Sequence, residues 1–473
     1  MRRLALLGTA WLLLGPGAAL ALPALEPGEL LGGLDTFYPP LAAAQAELRA
    51  AEAARTAAEG AFDPAWRTRA AVLPTAQYPH QRIDTSLEQA TPFWGAKLLG
   101  GWRRGQGAFA AYDGKLATNE GGEVRGGISL PLWRNGAIDR RRADLARAEA
   151  GVDAAAAQLR ARRLEAARQA VGRYWDWATA GQRVAVARRW LNLARRRDAD
   201  LGAAVRAGAL PALERQENER AVQQRVGYVA QAERGLEQAA IALSLFWRDA
   251  SGGPQLPEPA RLPGRLPPAS PLPEAGLRAD LAAAATARPE PRRLEALLTQ
   301  ARIELALAEN QLAPAVDVSV LGSQDLGAGD PGRATPELEA GLSLEVPLLA
   351  RTPRGRIAQA SAAVAGLEAQ LRFVRDRVQA EVRDAASAVA ATARRAEAAG
   401  RERAVAERLA AAEAERLRLG EGSLFLVNLR EQAATEAGVR EADALGEHQR
   451  ARAQYEAAVG RLLPGGNQTE PRR

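Results

Sequence analysis

The 473-residue chain contains no cysteine. Disulfides, thiolate metal sites and lipid attachment through an N-terminal cysteine are thereby excluded. Histidine is nearly missing too. His80 and His448 are its two copies, both read as surface residues, so no metal centre or cofactor site is expected. No stretch beyond residue 21 approaches the ~18 apolar residues of a membrane-crossing helix, so the mature chain can enter a bilayer only as β structure. Neither a G-x-S-x-G elbow nor a Walker A loop occurs, and Asp and Glu stand mainly as helix-face partners of Arg, which argues against an enzyme. Lysine is confined to Lys97 and Lys115, so the net charge of +7 comes almost entirely from arginine. Those arginines are interspersed with acids, as in Arg372, Arg375, Asp376, Arg377 and Glu381, the usual solvated face of a coiled coil. No basic block is interleaved with stacking aromatics, so nucleic acid is not an expected partner.

What the chain does have is an uncommonly long helical signal. Between Arg356 and Leu419, Ile357, Ala360, Val364, Leu367, Leu371, Val374 and Val378 recur at alternating steps of three and four. This is the a/d seam of a coiled coil. One extra four-residue step, a stutter, precedes Val382, Ala385, Val389, Thr392, Ala396 and Ala399 and locally unwinds the supercoil without ending the helix. The stretch has no proline, and at 1.5 Å per residue it makes a rod of roughly 96 Å. Leu145, Ala148, Val152, Ala155 and Leu159 repeat the seam inside a second proline-free run, Ala137–Val205.

The two rods belong to an internal duplication. Gly127 and Gly341, each in a Gly-x-Ser-Leu segment followed by Pro131-Leu or Pro347-Leu, lie 214 residues apart, as do Gly208 and Gly422 just past the rods. Upstream the offset is 250, for Pro39 with Pro289 and Pro64 with Pro314. The difference marks an insertion of 36 residues between Pro64 and Gly127, read as an outer loop, an extra hairpin or a partial plug. In each copy two shorter helices, Pro39–Gly60 with Ala209–Trp247 and Pro289–Gln311 with Ser423–Leu463, nearly add up to the rod beside which they would lie end to end.

In chain order, residues 1–21 read as a secretory signal, with Arg2 and Arg3, an apolar run Leu4–Leu14 and Ala19-Leu-Ala21 for cleavage. Residues 22–60 hold the first short helix, and 61–136 a β region with the insertion. Nine of the chain's 22 aromatics fall within Phe62–Trp133, suiting either a soluble β domain or an aromatic girdle at a membrane interface. Residues 137–248 form the first helix pair, and 249–288 a proline-rich linker leading into the second copy. The short helix 289–311 precedes a hairpin at 312–350, the second pair at 351–463 and a tail at 464–473, expected to be disordered. In that hairpin Leu338, Ala340, Leu342, Leu344 and Val346 alternate with Glu337, Glu339, Gly341, Ser343 and Glu345. One face is apolar, nothing else in the copy covers it, and lipid would.

The duplication, the openings Leu130-Pro-Leu-Trp-Arg-Asn-Gly136 and Val346-Pro-Leu348, Arg288-Pro-Glu290, Ala308-Glu-Asn-Gln-Leu-Ala-Pro314 and the glycine turns together resemble the TolC family of outer-membrane efflux and secretion channels. The resemblance spans nearly the whole mature chain. It implies a mainly α fold with a transmembrane β-barrel part. Two hairpins per protomer would close as a homotrimeric 12-stranded barrel on a tunnel of duplicated coiled coils, with Pro131 and Pro347 at the barrel-to-helix junctions. It implies an outer-membrane location in a Gram-negative envelope and a passive exit duct, served by a periplasmic adaptor and an inner-membrane transporter. It also places a periplasmic gate on the helices after the turn glycines Gly208 and Gly422, at Glu214, Glu217, Asn428 and Glu431. Asn428 stands where the family often has Asp, and Leu424 replaces an occasional basic residue, so a double ring of aspartates is not expected; Glu431 from three protomers would ring the mouth. The competing reading is a periplasmic structural coiled coil without a pore.

Overall fold

A computed structural model describes residues 23–110, 115–273 and 276–462. The expected signal at 1–21 and the expected disordered tail at 464–473 lie outside the described residues. The main elements in chain order are helices α1 (Pro27–Phe37) and α2 (Pro39–Glu59), strands β1 (Ala65–Leu73), β2 (His80–Ala90), β3 (Lys97–Gly107) and β4 (Gly122–Pro131), and helices α3 (Arg140–Arg206), α4 (Ala212–Ser244), α5 (Gly276–Ala287) and α6 (Pro289–Asn310). Strands β5 (Ala315–Leu326) and β6 (Glu337–Glu345) and helices α7 (Arg351–Arg418) and α8 (Leu424–Val459) follow.

Local chemistry fixes the helix ends. Pro39 and Pro289 occupy first-turn positions of α2 and α6, where the missing N–H costs nothing. The Asp139 side chain accepts from the Arg142 N–H at 3.0 Å to open α3, and Ser423 accepts from the Leu426 N–H to open α8. Along α7 every residue of the seam from Ile357 to Ala399 is buried or half-buried. Helices α2 and α4 both pack along α3, and α6 and α8 along α7, so each rod carries two shorter helices. Helix α3 also packs on α6 and α8 and joins the copies. These interfaces are tight: a Cβ added at Gly446 of α8 would sit 2.0 Å from the Thr179 hydroxyl of α3.

Two helices were not anticipated. α1 covers a cluster of Leu25, Leu30, Leu34, Tyr174, Trp177 and Phe246, and α5 covers its counterpart built on Val378, Val382, Val389, Tyr455 and Val459. They lie 250 residues apart at their C-terminal ends (Phe37, Ala287), so the upstream repeat reaches further toward the N-terminus than motifs alone indicate. Proline-rich surroundings and short length hid α5.

His448 is not a surface residue. It is fully buried, with Nε2 accepting the Ser270 N–H at 3.2 Å and Nδ1 3.2 Å from the Thr392 hydroxyl, an arrangement that uses the neutral ring. His80 is half-buried against Phe109. Burial, and after it the nearby Arg452 charge, pushes the His448 pKa below its ordinary 6.5. The unfolded chain therefore takes up a proton near pH 6.5 that the folded chain refuses. The associated stability is fully present above that pH and declines as pH falls. Thermal midpoints compared at pH 7.5 and 5.5 should show an acid loss of no more than about 1.4 kcal/mol, and His448→Gln should remove that pH-dependent part.

The strands form one antiparallel sheet in the order β1-β2-β3-β4-β5-β6. The insertion is an extra hairpin, β2–β3, so the chain carries three hairpins rather than the two expected. The register sorts side chains cleanly. Trp66, Ile83, Trp102, Val124, Val320 and Leu338 share one face with their strand-mates two residues on, while Arg67, Asp84, Arg103, Glu123, Asp325 and Glu337 share the other. The apolar face is uncovered: Trp66 is 71% and Leu342 73% exposed. Phe93, Trp94 and Trp133, all exposed, collect at the helix-side end, where Gly136 lies against the Trp94 ring. Pro131 closes β4, and the chain beyond it stays tied to β5 by Leu132 N–H to Val316 O at 2.7 Å. Pro347 follows β6 and leads into α7 through Ala350 at φ 48°.

Candidate functional site

The far ends of the rods close on short glycine turns. Gly208 has φ 72° and Gly420 φ 81°. Their N–H groups bond to Val205 O and Leu417 O, and the next residues, Ala209 and Glu421, bond to Ala204 O and Arg416 O. This double bond pattern is the Schellman cap, whose left-handed residue favours glycine. Gly208 therefore corresponds to Gly420, not to Gly422. Gly422 answers a different need, since a Cβ there would lie 2.8 Å from the Leu417 nitrogen.

The same two-residue shift continues into the next helices. α4 begins after Pro211 and α8 after Ser423, so the local offset is 212 rather than 214. On that alignment Asn428 and Glu431 match Gln216 and Glu219. Glu214 and Glu217 occupy the first turns of α4, both half-buried. The Arg220 guanidinium hydrogen-bonded to Glu217 holds that carboxyl below its ordinary range. Neither residue approaches Glu431 through a hydrogen bond or ion pair among the described residues.

Asn428 and Glu431, by contrast, belong to one buried cluster. Glu431 on α8 is 1% exposed and bridges two arginines. Arg225 of α4 donates to Oε2 at 2.7 Å, and Arg197 of α3 donates to Oε1. Arg197 also donates to Asn428 Oδ1 at 3.0 Å, and Arg225 to the Trp190 carbonyl at 3.0 Å. One carboxylate thus ties three helices from both copies. The Asn428 Nδ2 is buried without a partner. Asn218 nearby donates to the Ala194 carbonyl at 3.2 Å while its own Oδ1 is unmatched. Because Glu431 faces inward to two cations, it does not present a free negative charge at the surface of the protomer. A groove of about 790 Å³ runs between α4 and α8 beside the cluster, lined among others by Tyr228, Phe425, Asn428 and Arg440.

Arg197 and Arg225 escaped the sequence reading, although a signal existed. Trp190, Ala194 and Arg197 step by four and three, as do Ala221, Arg225 and Val229 by four, and Val427, Glu431 and Ala434 by four and three. Each charge occupies a seam position where apolar residues belong. A lone charge there is costly, so two basic seam residues and one acidic one on neighbouring rods call for one another.

Among the described residues no cluster of His, Asp and Glu could hold a metal ion, and no helix is long and apolar enough to cross a membrane. No protein-family model and no curated protein matches the chain. Solved structures do. The outer-membrane channel OprN is 19% identical, over 93% of this chain and 91% of that one, with a TM-score of 0.61. The outer membrane protein VceC of Vibrio cholerae is 14% identical over 92% and 96%, TM-score 0.64. The open state of the Neisseria gonorrhoeae MtrE outer membrane channel is 17% identical over 94% and 91%, TM-score 0.65. At such identities the likeness is one of architecture, and it runs almost end to end: the chain has the TolC-like fold of outer-membrane channel proteins.

Proposed function

We propose that this chain is the outer-membrane exit duct of an efflux or secretion assembly, a homotrimer with its helices in the periplasm. It would be served by a periplasmic adaptor and an inner-membrane transporter. The observation that carries the reading is the sheet with one face apolar and uncovered and the other charged, mounted on rods of roughly 100 Å. A soluble periplasmic coiled coil has no use for such a face, which water would penalise by ~25 cal/mol per Å². In a bilayer it is the ordinary outer wall of a barrel. One sheet of six strands has two open edges and cannot stay in lipid alone, so copies must close it. The duct has no chemistry of its own, and transport is driven by the pump. The Arg197–Glu431–Arg225 cluster holds the periplasmic ends of the helices together and sets the closed state.

The test is membrane fractionation followed by single-channel recording of the detergent-extracted protein in planar bilayers, with mass by light scattering. A trimer recovered from outer membranes with low, stable conductance supports the duct. Protein released without detergent and silent in bilayers leaves the structural coiled coil instead.

A further inference from the structure

The sheet has two free edges, β1 and β6, and their charges are opposite. On the polar face β1 carries Arg67 and Arg69 and no acid, while β6 carries Glu337, Glu339 and Glu345 and no base. Within the protomer Arg67 pairs with Glu88, Glu337 with Lys115 and Glu345 with Arg134. Arg69 and Glu339 have no ion-pair or hydrogen-bond partner among the described residues, and both are exposed. The strands are nine residues each. In an antiparallel six-stranded sheet they run in opposite senses, so β1 of one copy can extend the ladder of another copy's β6 without reversing it.

We infer that β1 of each protomer pairs with β6 of the next, across a seam set by Arg69 and Glu339, and that β2–β3 lies in the wall, making an eighteen-stranded barrel. This rests on the membrane reading above and goes beyond its expected twelve strands. The inserted hairpin has the credentials of a wall element. It pairs with β1 over residues 80–88 on one side and with β4 over residues 97–103 on the other. Ile83, Leu87 and Leu98 are exposed on the same face as Val124 and Val320, while Asp84, Glu88, Lys97 and Arg103 share the polar face. Its strands of 11 residues match the ~9–11 that a tilted strand needs to cross a bilayer. A plug or outer loop would have no reason for this alternation. Arg104 is the one cation of β3 on the apolar face, near its outer end, where a long side chain reaches the interface. Because diameter grows roughly linearly with strand number, the lumen would be about half again as wide as a twelve-stranded one and about twofold larger in section.

The absence of cysteine in the chain makes the test clean. Single variants Ile83→Cys, Leu98→Cys, Arg82→Cys and Val320→Cys of the full protein are placed in vesicles of outer-membrane lipid; Arg82 is exposed on the polar face. One portion of each is labelled with a fluorophore and exposed to brominated lipid, and a second, unlabelled portion is exposed to a water-soluble thiol reagent. Lipid quenching at Ile83, Leu98 and Val320 with aqueous access at Arg82 is expected. The double variant Arg69→Cys with Glu339→Cys should yield covalent trimer with a short bismaleimide, and neither single variant should. Quenching at Val320 without quenching at Ile83 and Leu98 overturns the eighteen-stranded wall while leaving the membrane reading intact. Absence of covalent trimer from the double variant overturns the seam. Absence of quenching at Val320 itself overturns both readings together.

Discussion

In the proposed duct, Glu431→Ala should open the channel and loosen the helical end in the same stroke. The substitution strands Arg197 and Arg225 in a site where the carboxylate between them is 1% exposed, and breaking a buried pair by removing one partner costs about 3–5 kcal/mol. If the cluster holds the closed state, that energy shifts the closed-to-open ratio by roughly 150- to 5,000-fold. Conductance in planar bilayers should then rise from rare openings to a sustained level, and the helical circular-dichroism signal should melt earlier. Glu431→Gln, which keeps the shape but not the charge, should fall between. A triple variant in which Arg197 and Arg225 become Met alongside Glu431→Leu should regain stability, since an apolar triad of similar size is often no worse than an ionic one. Unchanged conductance in Glu431→Ala would place the gate elsewhere.

The second large effect is expected at Gly446→Ala. The new Cβ would overlap the Thr179 Oγ1 and lie 3.0 Å from the Thr179 Cβ and 3.1 Å from its Cγ2. Turning Thr179 so that its Cβ hydrogen faces the new methyl would relieve the oxygen but not the contact with Cβ, which no χ1 rotation moves. The α3–α8 contact must part or bend, at about 3 kcal/mol, the upper end of overpacking. Thr179→Ala in the same chain should recover much of that loss, and Thr179→Ala alone should cost far less. Thermal unfolding of the four proteins forms a double-mutant cycle. Additive costs would show that the two helices are not in contact here.

Much of this architecture was legible in advance, and the reasons are physical. A seam of a/d residues such as Ile357–Val378 is periodic over many turns, so sequence alone fixes the helix, its length and its buried stripe. The strand pattern of Leu338–Val346 is equally plain because each face meets one kind of solvent. The inserted hairpin was less readable. Glycine-rich β3, with Gly100, Gly101 and Gly105, interrupts its own alternation, and Arg104 contradicts it. The glycine turns misled in another way. Gly208 and Gly422 share a spacing, but only the backbone reveals that Gly420 carries the left-handed cap. The buried triad was hidden because no single helix announces it. Its meaning lies in three seam charges on three helices, which become neighbours only once α3, α4 and α8 are packed.

The glycine caps also constrain how such a molecule can move. A Schellman turn with two residues between its left-handed glycine and the next N-cap leaves no slack, so α3 and α4 cannot slide past each other at their tips. Each hairpin must swing as a stiff lever. Its fulcrum is the close contact of Thr179 with Gly446, and from there α3 runs to Arg206, an arm of roughly 40 Å. A tilt of about 5° at that pivot displaces the tip by roughly 3–4 Å on an arm of that length, enough to separate a guanidinium from its carboxylate. In the proposed duct, aperture at the end would therefore be set by an angle at the waist, and whatever grips the rods near the waist would command the tip from a distance.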